Sequence, residues 1–116
     1  MNVFAAPSLH SEARRIESRL ESEHVGYGSA FTDLFQKAVS SIISTPRLFS
    51  LTEDGPHHEE VREYFIARFK YRLIYTIEEN DLVFIALAHA HQLPGKWIRR
   101  WNEERHQYEQ PDSGSE

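Results

Sequence analysis

Apolar positions along the chain change period, and each change marks a boundary between elements. Phe31, Leu34, Phe35, Ala38, Ile42 and Ile43 recur at steps of three and four, the stripe of an amphipathic helix. Ser29 or Thr32 is placed to cap that helix, and Pro46 stops it after Thr45. Upstream, Leu9, Ala13, Ile16 and Leu20 predict an earlier helix with Ser8 as its N-cap. Its other positions, Glu12, Arg14, Arg15, Glu17, Arg19 and Glu21, read as a solvated face rich in i,i+4 pairs. Between the two patterns His24 to Gly28 carries two glycines, so the helices should form an antiparallel hairpin. Before them, Asn2 to Ala6 fits a short strand with Val3 and Ala5 on one face, ended by Pro7.

From Glu60 the period becomes two. Val61, Phe65, Ala67 and Phe69 alternate with Arg62, Tyr64, Ile66 and Arg68, and then Tyr71, Leu73, Tyr75 and Ile77 with Arg72, Ile74 and Thr76. Glu79 to Asp81 reads as a hairpin turn. The run from Leu82 to His89 is nearly all apolar, as expected of a central strand covered on both faces. Arg47 to Glu59 reads as a loop in which Leu48, Phe49 and Leu51 cover a core edge. After the turn at Leu93-Pro94-Gly95, Trp97, Ile98 and Trp101 fit a last helical turn. The predicted order is β-α-α-β-β-β, an α+β fold with an antiparallel helical hairpin on a small, mainly antiparallel sheet.

Composition narrows the chemistry. The 116 residues suit one domain, and the absence of cysteine excludes a disulfide scaffold, a thiolate metal site and a cysteine nucleophile. No apolar run reaches the length of a membrane span, and Met1 to Pro7 lack the basic start of a signal peptide, which points to a soluble, cytoplasmic protein. The net charge is −5, but residues 102–116 hold five acids against Arg105 alone, leaving residues 1–101 close to neutral. Residues 1–101 therefore read as the domain and 102–116 as an acidic, disordered tail. A near-neutral body argues against a general phosphate binder and against sequence-specific DNA binding by this chain alone.

The later strands carry a resemblance. Val61-Arg62 and Arg68-Phe69-Lys70-Tyr71-Arg72-Leu73-Ile74-Tyr75, followed by Ala86-Leu87-Ala88-His89 and then Pro94, Gly95 and Trp97, resemble the RelE/ParE superfamily of bacterial toxin–antitoxin toxins. The element order matches that layout from residue 3 to 101. The chain departs from the family pattern at Lys70, at His91 and Gln92, and at Lys96, before Trp97.

The resemblance implies two modes of action. In the ribosome-dependent messenger RNA endonucleases of the family, a 2′-hydroxyl attacks the adjacent phosphate, which calls for a cation and for groups that exchange protons. The matching positions here are Arg72, His91 and Trp97, and an indole does no acid–base work, so the nuclease candidates are Arg72 with His89 or His91. The ParE branch poisons DNA gyrase and needs no such set, which fits this chain better. Lys96, Trp97, Arg99 and Arg100 are the candidate target contacts, with core closure as the plainer role of Trp97. Arg62, Arg68 and Arg72 are candidates to pair with carboxylates of a cognate antitoxin, with which the toxin would form an oligomer. Arg72 has a plain alternative as a solvent-facing strand residue.

His89 and His91, two apart, share a face if the strand continues. Nothing in the spacing adds a third ligand, so neither a metal nor a cofactor is expected. A toxin-fold remnant that binds a partner without poisoning completes the alternatives.

Overall fold

A computed structural model of the chain describes residues 1–107. The expectation for the tail from residue 108 onward lies outside them. The elements are β1 (Asn2–Ala5), α1 (Leu9–Glu23), α2 (Tyr27–Ser44), β2 (Val61–Ile66), β3 (Tyr71–Glu78), β4 (Asp81–His89) and α3 (Ile98–Glu104). The four strands form one mixed sheet in the order β1-β4-β3-β2. β1 lies parallel to β4, and the β2–β3 and β3–β4 pairs are antiparallel. This is an α+β fold, as the change of period predicts.

Alternation divides the sheet between two cores. Leu73, Tyr75, Leu82, Phe84 and Leu87 pack with Ile16, Leu20, Phe31, Ala38 and Ile42 of α1 and α2. Ile74, Val83, Ile85, Ala86 and Ala88 face the other way, beneath Trp97 and Trp101. Those rings are 4 % and 1 % exposed, so they close a second core rather than a loose end. β4 is buried from Leu82 to Ala88, as its unbroken apolar run implies.

Several local expectations need correction. Neither Ser29 nor Thr32 caps α2, which begins at Tyr27 after Gly26 at φ 94, a left-handed conformation that glycine adopts without a Cβ penalty. Ser8 does hold the N-cap position of α1, but its hydroxyl donates to Glu104 at 2.9 Å and not to the first turn of the helix. Ile43 is exposed at the margin of its stripe, and Val39 packs inward instead. β2 ends at Ile66, so Ala67 and Phe69 belong to the following turn, and Phe65 is 51 % exposed. Leu48 and Leu51 stay exposed, while Phe49 meets Tyr64 with ring centroids 4.9 Å apart.

The boundary expected at residue 101 also moves. α3 continues through Glu104, and Arg105 reaches both oxygens of Glu59 (3.0 and 2.9 Å) and Glu78 (3.2 Å). Arg105 is therefore the group that fastens the end of α3, to the loop at Glu59 and to β3 at Glu78.

Candidate functional site

The length of β1 decides where a groove forms. β1 pairs with β4 only from Asp81 to Phe84, and Pro7 then ends the strand. The last residues of β4 consequently lack a neighbour on that side. The N–H of Leu87 donates instead to Glu12 Oε1 at 3.2 Å, and the other Glu12 oxygen accepts from Arg100. Glu12 sits within the apolar stripe of α1, and these two partners explain a buried carboxylate there.

The space left beside β4 is an open groove of about 560 Å³ between α1 on one wall and Lys96 to Glu103 on the other. Ile16, Leu87, Tyr71 and Trp97 contribute its apolar surface. Five cations line it (Arg15 and Arg19 from α1, and Lys96, Arg99 and Arg100 opposite) against the carboxylates of Glu12 and Glu103. A chain of net charge −5 thus concentrates positive charge at one place, where the low-dielectric walls focus the field.

His89, the last residue of β4, also lines the groove. Its ring meets Tyr71 edge-on at 5.0 Å, and the Tyr71 hydroxyl accepts from Arg19 at 2.6 Å. The His91 N–H donates to His89 Nδ1 at 3.1 Å, so the neutral ring carries its proton on Nε2. Burial lowers the His89 pKa below its ordinary 6.5, and the nearby His91, Arg19 and Lys70 push in the same direction. The imidazole is therefore a neutral donor at neutral pH.

Arg72 belongs to a different place. Register pairs Tyr71 with His89 and Arg72 with Ala88, so Arg72 and His89 project from opposite faces of the sheet. The Arg72 guanidinium takes both oxygens of Asp54 (3.1 and 3.0 Å) and Glu63 Oε1 (2.9 Å). Asp54 also accepts from the Gly95 N–H (2.7 Å) and the Trp97 indole N–H (3.1 Å). Burial alone would raise the Asp54 carboxyl, but the hydrogen bonds from Arg72, Gly95 and Trp97 outweigh it and bring the pKa down to about 2. The solvent-facing alternative for Arg72 fails as well, since its side chain is only 17 % exposed.

The remaining candidates separate similarly. Arg62 is held by Glu60 at 2.9 Å and by the Phe49 carbonyl at 2.6 Å. Arg68 lies over the rings of Tyr27 and Phe69, 5.4 and 5.0 Å from their centroids. Lys96, Trp97, Arg99 and Arg100 do assemble, and His89 joins them in the same groove. The rings of His89 and His91 lie 5.0 Å apart, and no group of three or more metal-ligating side chains gathers among the described residues.

Sequence reasoning missed Arg15, Arg19 and Asp54. The signal for the first two was Glu12, a charge at helical spacing from Leu9 and Ile16 that marks where this face meets something polar. Asp54 gave none, since Glu-Asp-Gly-Pro reads as an ordinary turn.

No family model and no curated protein matches this chain. Among the described residues no helix is long and apolar enough to cross a membrane.

Proposed function

We propose that this chain is the toxin of a type II toxin–antitoxin pair, ParE-like, which poisons DNA gyrase by binding it and is neutralised by a cognate antitoxin. The β-α-α-β-β-β order is consistent with the layout that the sequence resemblance implies. One observation favours binding over RNA cleavage. Arg72 lies on the opposite face from His89, with two carboxylates already on its guanidinium. A phosphate held by Arg72 would be out of reach of the imidazole and would face the negative charge of Asp54 and Glu63.

A second reading, the ribosome-dependent endonuclease, keeps one supporting observation. Arg19, Tyr71 and His89 bring a guanidinium, a phenol and a neutral imidazole together in the lining of the groove. The two readings separate on induction of the chain in a bacterial host without antitoxin. Growth arrest with relaxed plasmid and intact message supports the gyrase reading. Arrest with cleaved message supports the nuclease. Unchanged growth with the protein present at normal yield would leave a partner-binding remnant.

A further inference from the structure

The turn that leaves β4 is tied down at both ends, by groups of different acid–base character. At its far end the Gly95 N–H donates to Asp54 at 2.7 Å, and that carboxyl, held at a pKa of about 2, stays ionised in mild acid. At its near end three bonds run between His89 and the residues that follow. The Gln92 N–H donates to the His89 carbonyl at 2.9 Å, and the His89 N–H donates to Gln92 Oε1 at 2.8 Å. Neither of those pairs titrates. The third bond, from the His91 N–H to His89 Nδ1 at 3.1 Å, uses an imidazole lone pair and lasts only while the ring is neutral. Between the two ends His91, Leu93 and Pro94 are exposed, Leu93 by 76 %, so burial adds little to these ties.

A proton on Nδ1 turns the acceptor into a donor and sets two N–H groups against each other across that 3.1 Å. The new charge also arrives among cations. His91 on the same turn, Lys70 before β3 and Arg19 from α1 all act against it, and Arg15, Lys96, Arg99 and Arg100 line the same groove. The two carboxylates of the groove are engaged elsewhere, Glu12 by Arg100 and the Leu87 N–H, and Glu103 with Arg99 at 3.6 Å. Tyr71, edge-on to the ring, accepts from Arg19 at its hydroxyl and offers no negative charge. We infer that a proton on His89 unlatches residues 91–94, so that the wall of the groove at Gln92 opens in mild acid and closes near neutrality. The closed turn favours the neutral ring, and the open turn returns it toward its ordinary 6.5. Opening therefore takes up a proton and is favoured as pH falls. The latch goes beyond the proposed function, since it works whichever molecule meets the groove.

NMR of the isotope-labelled full chain tests the latch, with amide and imidazole signals followed from about pH 8 to about pH 5, the range in which histidine titrates. In His91→Gln the competing ring is gone while the backbone N–H of residue 91 remains, so that amide reports the latch alone. It should shift with the midpoint of the His89 ring, and the amides of Gln92 and Leu93 should follow. Its protection from exchange, corrected for pH, should fall by about fivefold, as for one lost hydrogen bond. The Gly95 and Leu87 amides, bonded to Asp54 and Glu12, should stay in place. His89→Gln keeps a side-chain acceptor that does not titrate, and should leave the amides of residues 91–93 unmoved over the same range. A residue 91 amide that ignores the titration of the His89 ring overturns the inference, as does the same shift in His89→Gln. Movement of the Gly95 and Leu87 amides together with the turn overturns it too, because the transition would then be a wider unfolding rather than a local release.

Discussion

Arg72 and Asp54 meet through two parallel hydrogen bonds of 3.1 and 3.0 Å, a bidentate contact between a strand and a loop eighteen residues before it. That contact turns the arginine which the family resemblance places in an active position into a fastening for the loop. Because Asp54 also accepts from Gly95 and Trp97, the same carboxylate holds the turn after β4 against the sheet.

The tie has an acid-side signature. The Asp54 pKa falls from an ordinary 3.8 to about 2 on folding, so the folded state favours the ionised form. Its contribution is complete above about pH 4 and is lost as pH falls through 2, an amount of roughly 2 kcal/mol by linkage. Urea unfolding across that window should show the decline, and Asp54→Asn should flatten it. At neutral pH the same substitution should cost about 2–3 kcal/mol, since Arg72 and the Trp97 N–H lose a charged acceptor. An unchanged acid limb in Asp54→Asn would place the stabilisation elsewhere.

Gly28 tests the helical hairpin. It lies in the first turn of α2, where alanine normally favours a helix over glycine by about 1 kcal/mol. Here a Cβ would stand 3.0 Å from the Glu17 carbonyl oxygen and 3.0 Å from Glu21 Oε1. Gly28→Ala should therefore destabilise the protein by about 1–3 kcal/mol, because α1 and α2 must move apart. A raised melting temperature would show that the crossing is looser than described.

His89 should titrate below 6.5 when its ring signals are followed by NMR. Its depressed pKa means that folding favours the neutral ring. The stability it contributes is present above about 6.5 and is lost as pH falls through the lower folded value. His91→Gln should move the midpoint back upward by removing one of the neighbouring charges. A midpoint at or above 6.5 in the wild-type chain would contradict both the burial and the Nδ1 acceptor role.

Much of the fold was legible because it depends on periodicity. The unbroken run from Leu82 to Ala88 identified the central strand, and the stripe from Phe31 to Ile42 identified α2. Errors came where one long-range contact outweighs local preference. Ser8 holds the N-cap position that the spacing predicts, yet its hydroxyl finds its partner in α3, far along the chain. Residues 102–105 look like tail by composition, yet Arg105 finds Glu59 and Glu78. The site was half legible for the same reason. Lys96, Arg99 and Arg100 are neighbours in sequence, whereas Arg15 and Arg19 reach the groove only through the packing of α1 against β4. That Arg72 and His89 diverge follows from strand register, which no short motif encodes.

The central claim is that the chain acts by binding gyrase and does not cut RNA. A supercoiling assay with purified gyrase and the purified full chain tests it most directly, run beside a cell-free translation extract in which the message is probed. The account predicts that supercoiling stops in proportion to added chain while the message stays intact. Undiminished supercoiling together with cleaved message would contradict it.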